Sequence, residues 1–181
     1  MGNGARIQGM GTLTLTAPSE WTALPPDSRF SELYQRHADL VYRAAMRVTG
    51  NAADAEDVLQ SVFLRLLHDA ERLDPARSPE SYLRRAATNA AIDILRRRAV
   101  RGETQYDPEF PHAAPDSQPL LKERLRRAIA QLPPRDAEFF SLRYLEGLSN
   151  GELAEIFDME KATVAVRLHR IRQTLQQEMT R

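Results

Sequence analysis

Apolar residues recur three and four positions apart along most of this chain from Phe30 onward, which is the periodicity of an amphipathic helix. Leu33 and Leu40 belong to the first such run, and Leu168 and Ile171 belong to the last. A helix with one apolar stripe is stable in water mainly when that stripe packs against another element. Because 181 residues are enough for two small cores, we predict an all-α protein with two small helical domains.

Changes in composition divide the chain into four segments. Residues 1–27 are rich in Gly, Thr and Pro and lack helical periodicity, so we predict a flexible extension. Residues 28–101 and 118–181 carry the helical patterns. The stretch between them, 102–117, has four acids and three prolines but no lysine or arginine, which predicts a flexible acidic linker.

The residue types that the chain lacks exclude several classes of site. It contains no cysteine, so neither a disulfide framework nor a thiolate zinc site can form, as suits a reducing cytoplasm. Its four histidines lie far apart without ligand spacing, and we predict no metal and no cofactor. No apolar run approaches the ~20 residues that span a bilayer, and the N-terminus lacks an apolar signal core. We therefore expect a retained N-terminus and a cytoplasmic protein.

The second helical pattern begins at NAADAEDVLQ, where Asp54 is placed to cap the helix after the first one stops at Gly50. Leu64 and Gln60 lie on the outer face of this helix, where solvent is expected. Single exposed leucines are common, so Leu64 is either an ordinary surface residue or part of a surface that binds a partner. The predicted inner stripe consists of Val58, Leu59, Val62, Phe63, Leu66 and Leu67.

The third helix is predicted to begin at Ser78, with proline in its first turn, and to run to about Arg98. Residues 84–101 hold six arginines and one aspartate, a net charge of +5, in a chain whose 25 basic and 25 acidic residues cancel. Cations near a helix C-terminus complement the helix dipole, but this explains one or two arginines and not the run at 96–98. The excess charge predicts a surface that binds nucleic acid.

The segment LSNGELAEIFDMEKATVAVRLHRIRQTL has the spacing of a helix-turn-helix, with Asp158 at the turn. Its second helix presents Lys161, Thr163, Arg167 and Arg170 outward. Residues 160–172 carry four basic residues and one acid, which suits entry into a major groove. Arginine there either bonds a guanine edge or neutralises a phosphate, and the sequence does not separate these roles.

Three stretches together resemble the extracytoplasmic-function (ECF) sigma factors, the smallest members of the bacterial sigma-70 family. DAEDVLQSVFLRLL, residues 54–67, is similar to the polymerase-binding helix of that family. YLRRAATNAAIDILRRR, residues 82–98, resembles its promoter-melting helix. The stretch from 132 to 172, which begins LPPRDAEFFSLRYLEG, resembles its C-terminal DNA-binding domain. The resemblance covers about Phe30 to Leu175 in the order of the family.

The resemblance implies three groups of site residues. The polymerase-binding group is Asp57, Gln60, Ser61 and Leu64. The group for the minus-ten promoter element is Arg85, Asn89, Asp93, Arg96 and Arg97. The group for the minus-thirty-five element, on the helix-turn-helix, is Lys161, Thr163, Arg167 and Arg170.

The resemblance also implies the partners of the chain. They are core RNA polymerase, through its beta-prime clamp and beta flap, and promoter DNA. An anti-sigma factor that covers these surfaces is expected as well, and such a factor often holds its sigma at the inner membrane. The family has no catalytic activity of its own, so no small-molecule substrate is expected.

Three positions depart from the usual pattern of the family. Ser61 stands where an acid commonly follows the glutamine, Tyr82 replaces a tryptophan, and Asp158 replaces the glycine of the turn. Aspartate tolerates the left-handed conformation better than most residues. We further expect the loop 73–80 to form part of a pocket for an unstacked base beside Asn89.

Two other functions are compatible with parts of the sequence. A conventional helix-turn-helix regulator would bind duplex DNA without joining polymerase, but it leaves the outer face of the second helix without a purpose. A metal-dependent nuclease would use Asp54, Glu56, Asp57 and His68, although the dipole of a helix start already explains these acids.

Overall fold

The computed structural model describes residues 26–68, 78–102 and 118–180, and every regular element in these ranges is helical. The helices are α1 (Pro26–Thr49), α2 (Ala52–His68), α3 (Pro79–Arg101), α4 (Gln118–Gln131), α5 (Pro134–Phe140), α6 (Asn150–Phe157) and α7 (Lys161–Thr180). A π-helical turn, Ser141–Leu145, continues α5. The all-α prediction is confirmed for the described residues. The predicted extension up to residue 25, the predicted linker after Gly102 and the loop 73–77 lie outside them.

Helices α1, α2 and α3 form an N-terminal unit around one apolar core. Its largest fully buried members are Val41 and Val48 from α1, Val58 from α2, and Leu83 and Ile92 from α3. Buried alanines lie between these larger side chains, which allows the helix axes to approach closely.

The inner stripe of α2 differs from the prediction at Leu67. Leu66 is 3% exposed, whereas Leu67 is 53% exposed. Residues four apart lie on nearly the same side of a helix, so Val58, Val62 and Leu66 define the buried direction and the next residue turns away from it. The periodicity therefore places Leu67 outside, and its assignment to the core was wrong.

Local interactions determine the helix ends of this unit. Gly50 ends α1 with a φ of +65°, as predicted. Asn51, not Asp54, caps α2, because its Oδ1 accepts a hydrogen bond from the Asp54 amide at 3.0 Å. The prediction that Asp54 is the cap was wrong, since this residue lies inside the first turn. Ser78 caps α3 as predicted, and its Oγ accepts from the Ser81 amide at 3.2 Å.

Helices α4 to α7 form a C-terminal unit that contains the helix-turn-helix α6–α7. Phe139 of α5 packs on Phe157 of α6 with ring centroids 4.0 Å apart, and both rings are buried. Val164 and Leu168 place the inner face of α7 against this core. The turn residue Asp158 adopts a φ of 52°, the left-handed conformation that the sequence predicts.

The two units pack directly against each other. Ile94 of α3 and Ile129 of α4 belong to one continuous cluster of buried apolar residues. Arg126 of α4 reaches the end of α1, where its Nε donates to the Val48 carbonyl at 3.3 Å. A β-carbon at Gly50 would displace the Arg126 guanidinium, which is the end of a flexible side chain, so the positive φ is the main reason for glycine there.

Candidate polymerase and promoter surfaces

One face of α2 is exposed along its whole length. Asp57, Gln60, Leu64 and Leu67 follow one another at helical spacing and are all exposed. The two leucines are 54% and 53% exposed, so about half of each apolar side chain faces solvent. We call these four residues the outer stripe of α2.

Ser61 lies beside the outer stripe, half-buried. Its Oγ donates to the Val58 carbonyl of the same helix at 3.0 Å. A serine hydroxyl that bonds the preceding turn is directed along its own helix. Asp57 and Gln60 are therefore the polar residues of the outer stripe, and the residue after the glutamine, Ser61, adds no second acid to it.

Few of the arginines in 84–101 form a free positive surface. Arg84 bonds Glu80 at 2.6 Å and Glu146 of the C-terminal unit at 2.9 Å. Arg96 donates to the carbonyls of Ala130 and Leu132 at 3.4 and 3.0 Å. The high charge of this segment in the sequence is thus largely matched by acceptors in the fold.

Arg98 is directed into the N-terminal unit. Its Nη2 lies 2.6 Å from Oδ1 of Asp54, which is buried. Burial raises the pKa of Asp54, and the positive charge of Arg98 opposes that rise without cancelling it. Oδ2 of Asp54 and Nη1 of Arg98 are also buried and have no hydrogen-bond partner among the described residues. Arg98 therefore has a structural role, and it does not belong to the exposed basic face.

Arg97 and Asp93 are the exposed members of the predicted minus-ten group. Nε of Arg97 donates to the Asp93 carbonyl one turn earlier at 3.3 Å, within α3. The Asp93 carboxylate lies 3.6 Å from Arg96, which is a weak contact at a surface where its side chain is 62% exposed. Both residues are accessible to a ligand.

Arg85 and Asn89 lie at the boundary of the two units. Nε of Arg85 and Nδ2 of Asn89 both donate to Oε1 of Glu138, at 2.8 and 3.1 Å. The Arg85 guanidinium also lies over the ring of Phe157, 5.0 Å from its centroid. These two members of the minus-ten group are therefore engaged by the C-terminal unit.

The outward face of α7 contains Lys161, Thr163 and Arg170, all exposed. Val166 lies on the same face and is 52% exposed. Arg167, in contrast, is half-buried and makes two hydrogen bonds to Asp136 of α5. The structure thus separates the predicted minus-thirty-five group into three accessible side chains and one that is anchored within the unit.

A capping box determines the start of α6. The Ser149 Oγ accepts from the Glu152 amide at 3.2 Å, and the Ser149 amide donates to the Glu152 carboxylate at 2.7 Å. These hydrogen bonds, first from the backbone amide and then from the side chain of Ser149, lower the pKa of Glu152. The cap orients α6, and through it the following helix α7.

Several residues of these surfaces were absent from the sequence prediction. The spacing of Asp57, Gln60 and Leu64 already points to Leu67, so the outer stripe was recoverable from periodicity. Val166 has the spacing of an outward residue for the same reason. Glu138, which bonds Arg85 and Asn89, and Glu146, which bonds Arg84 and Arg47, gave no signal, because their partners lie far away in the sequence.

Within residues 26–68, 78–102 and 118–180, no three His, Asp or Glu side chains come together as a metal site. In the same residues, no helix has the length and apolar character to cross a membrane.

The fold and these surfaces define a helical transcription protein: one unit carries a basic helix and an exposed apolar stripe, and the other carries a helix-turn-helix. Two family models match the chain, Sigma-70 region 2 over residues 33–101 and Sigma-70, region 4 over residues 122–175. The chain belongs to the sigma-70 family and, within it, to the ECF sigma factors, which bind RNA polymerase. Membership in this family argues against the alternative function, that of a conventional helix-turn-helix regulator that does not join polymerase.

Individual relatives agree with this assignment. The chain is 34% identical to the ECF RNA polymerase sigma factor SigL of Mycobacterium tuberculosis, over 76% of this chain and 81% of SigL. It is also 34% identical to ECF sigma factor SigE of Mycolicibacterium smegmatis, over 91% of this chain, and it spans 66% of the length of SigE. Among solved structures, CnrH in complex with the cytosolic domain of CnrY is similar in fold, with a TM-score of 0.54 and 24% identity. That match covers 88% of this chain and 92% of CnrH.

Proposed function

We propose that this sigma factor joins core RNA polymerase through the outer stripe of α2, reads the minus-thirty-five element with α7, and helps to open the minus-ten element with α3. The observation that carries the proposal is the outer stripe. Two exposed leucines beside an acid and a glutamine lie outside the apolar core that the described residues form. An exposed apolar face of this kind marks a site of protein–protein contact.

The proposed roles of α3 and α7 follow from the kind of DNA that each must bind. Duplex DNA accepts a helix in its major groove, and Lys161, Thr163 and Arg170 are exposed on one face of α7. Opened strands require cationic groups for the backbone and acceptors or donors for unstacked bases. Arg97 supplies the first kind of group, and Asn89 and Asp93 supply the second.

The proposed partners include an anti-sigma factor and exclude a small-molecule substrate. The anti-sigma proposal is supported by the complex of CnrH, a protein of similar fold, with the cytosolic domain of CnrY. We place the chain in the cytoplasm, where its polymerase is, with retention at the inner membrane when a tethered anti-sigma factor holds it. We expect no catalytic activity from the chain itself.

A reconstitution experiment tests the proposed function. Purified protein is added to core RNA polymerase from its own host, and transcripts from fragmented host DNA are sequenced. We expect new transcripts that start downstream of one shared pair of promoter elements. Duplex binding without any association with core polymerase would contradict the proposal.

The role of Asn89 is tested on a promoter found in that way. Permanganate detects unpaired thymines, so its reaction near the start site reports strand opening. We expect Asn89→Ala to reduce this reaction about tenfold while leaving duplex binding within about twofold, since a base contact of this kind contributes about 1–3 kcal/mol. Equal losses in both measurements would assign Asn89 to duplex binding.

A further inference from the structure

Val166 projects from α7 almost directly away from the core of the C-terminal unit. The buried side of this helix is defined by four residues that are at most 4% exposed: Val164, Leu168, Ile171 and Leu175. Successive residues of an α-helix are turned by about 100°, so Val166 points within about 10° of the direction opposite to the mean of these four. Its side chain is 52% exposed. Val166 therefore lies at the centre of the surface that α7 presents to a ligand.

The position of this valine is unusual for a helix of this kind. Single exposed apolar residues are common on proteins, but the side of a surface helix that faces away from the core is typically charged or polar. Valine also has a lower helix propensity than alanine or lysine, because its branched side chain loses χ1 freedom in a helix. The free protein gains nothing in packing from Val166, so contact with a ligand accounts for it better than folding does.

The side chains next to Val166 leave it uncovered. Arg167 donates to Asp136 from Nε and Nη2, at 2.9 and 2.7 Å, so its guanidinium is held against α5. Ala162 and Ala165 are exposed and end at their β-carbons, so neither reaches over the valine. These small residues also allow the helix to approach a groove of DNA closely. The methyl groups of Val166 are thus free to meet a base edge.

Two exposed polar side chains of α7 flank Val166. Thr163 lies three positions earlier and Arg170 four positions later. With a rise of about 1.5 Å per residue, the helix advances about 10 Å from Thr163 to Arg170, which is the length of about three base pairs. Val166 is therefore placed to face a base pair near the middle of those that α7 contacts.

The chemistry of the side chain limits what it can recognise. Valine has no donor or acceptor, so it cannot form the hydrogen bonds by which polar side chains distinguish base edges. The apolar feature of the base edges in the major groove is the C5-methyl group of thymine. Because the two methyl groups of valine sit on a stiff branched carbon, the helix determines their position relative to that edge. Val166 is suited to recognise thymine by its methyl group.

We propose that Val166 reads a thymine of the minus-thirty-five element, through contact between its methyl groups and the C5-methyl group of that base. The inference rests on the proposed function of α7. The element of this sigma factor then contains a T·A pair near the middle of the base pairs that α7 contacts. Specificity at that pair comes from Val166, and Arg167 stays bonded to Asp136.

Replacement of thymine by uracil tests the contact, because uracil lacks only the C5-methyl group and pairs with adenine in the same way. Each thymine of the element is replaced in turn, and binding of the holoenzyme to each promoter duplex is measured. We expect one replacement to weaken binding about fourfold, the contribution of one buried methyl-sized group. Val166→Ala should bind the thymine duplex more weakly by a similar factor, and the same replacement should then have no further effect.

Two controls keep the result interpretable. Val100→Ala makes the same chemical change at a valine of α3 that is 88% exposed, and we expect it to keep the full effect of uracil. Alanine has a higher helix propensity than valine, so Val166→Ala should be at least as stable as the parent in thermal unfolding. A loss of binding then does not come from loss of the fold.

The outcomes distinguish this inference from the proposed function. If the holoenzyme binds the promoter but no uracil replacement weakens binding, or if Val166→Ala keeps the full effect of uracil, Val166 does not read a thymine. If the chain does not associate with core RNA polymerase, the proposed function fails. The same replacements are then made in duplexes that the full-length chain alone selects from a random pool, and either absence of a methyl effect or absence of any selected duplex would overturn the role of Val166.

Discussion

Arg167 donates from both Nε and Nη2 to the same oxygen of Asp136, at 2.9 and 2.7 Å. Its guanidinium also lies over the ring of Phe139, 4.8 Å from the centroid. The arginine therefore joins α7 to α5, and its donors are used within the unit. Arg170, one turn later, is exposed and carries no such contact to α5. The two arginines of the proposed reading helix have different environments.

This difference predicts different effects of substitution. We expect Asp136→Ala to lower the free energy of unfolding by about 1 kcal/mol, a value reduced for the partial exposure of the pair. It should weaken binding to minus-thirty-five DNA for all sequences alike, because α7 is less firmly held. Arg170→Ala should leave stability unchanged and weaken DNA binding about tenfold.

Urea denaturation and fluorescence anisotropy with a labelled promoter duplex measure the two effects. A different result would contradict this assignment: Asp136→Ala changes the preferred base pairs while the free energy of unfolding stays constant. Arg167 would then contact bases directly, and its side chain would leave Asp136 when the protein binds DNA.

The outer stripe of α2 predicts a binding effect with no effect on folding. Leu64→Ala and Leu67→Ala each remove an exposed side chain, so thermal unfolding should not change by more than about 1 °C, consistent with a surface substitution. Each should weaken association with core polymerase about tenfold if the leucine is buried in that interface. Leu121→Ala is the control, since Leu121 on α4 is 51% exposed and lies outside the stripe. An equal effect of Leu121→Ala on association would remove the special role of the stripe.

Local rules were sufficient for two helix ends and for the turn of the helix-turn-helix, although at the start of α2 they pointed to Asp54 and the cap is Asn51. Gly50, Ser78 and Asp158 occupy conformations that their residue types favour or tolerate, so sequence alone predicted them. Arg98 was different: it belongs by sequence to a run of three arginines, but a buried aspartate 44 positions earlier determines its direction.

The same limit applies to Glu138. Nothing in PRDAEFF distinguishes a carboxylate that will be buried against another unit from one that remains in water. Contacts between residues far apart in sequence depend on how the units pack, and the pattern of one helix does not contain that information.

The buried pair Asp54–Arg98 predicts a strongly non-additive effect. Arg98→Ala leaves the Asp54 carboxylate buried without its counter-charge, and we expect it to lower the free energy of unfolding by about 3 kcal/mol. The double variant Asp54→Ala, Arg98→Ala should recover at least half of that loss, because it removes both charges. Urea denaturation of the four proteins gives the coupling energy. Additive losses would show that the pair does not interact in solution.

The raised pKa of Asp54 predicts a pH dependence of known sign. Burial makes the folded protein hold this proton more strongly than the unfolded chain, in which the pKa is near 3.8. The folded state binds more protons between the two values, so the contribution of Asp54 to stability falls as pH rises from about 3.8 through the folded pKa. Asp54→Asn should remove this decline. If the free energy of unfolding of Asp54→Asn falls with pH in parallel with that of the parent across this range, the decline does not come from Asp54.

The capping box predicts the opposite sign for Glu152. Its pKa in the folded protein is lowered from 4.5 by the hydrogen bonds with Ser149, so the folded state binds fewer protons than the unfolded chain. The contribution of Glu152 is fully present above about pH 4.5 and is lost as pH falls through the folded pKa. We expect Glu152→Gln to be less stable than the parent at pH 7 by at most about 0.5 kcal/mol, a small value because solvent screens this exposed carboxylate, and equally stable near pH 3. Glu155→Gln, an exposed acid on the same helix, is the control and should match the parent at both values. A difference between Glu152→Gln and the parent that persists unchanged at low pH would mean that the cap acts through shape alone and not through the charge of Glu152.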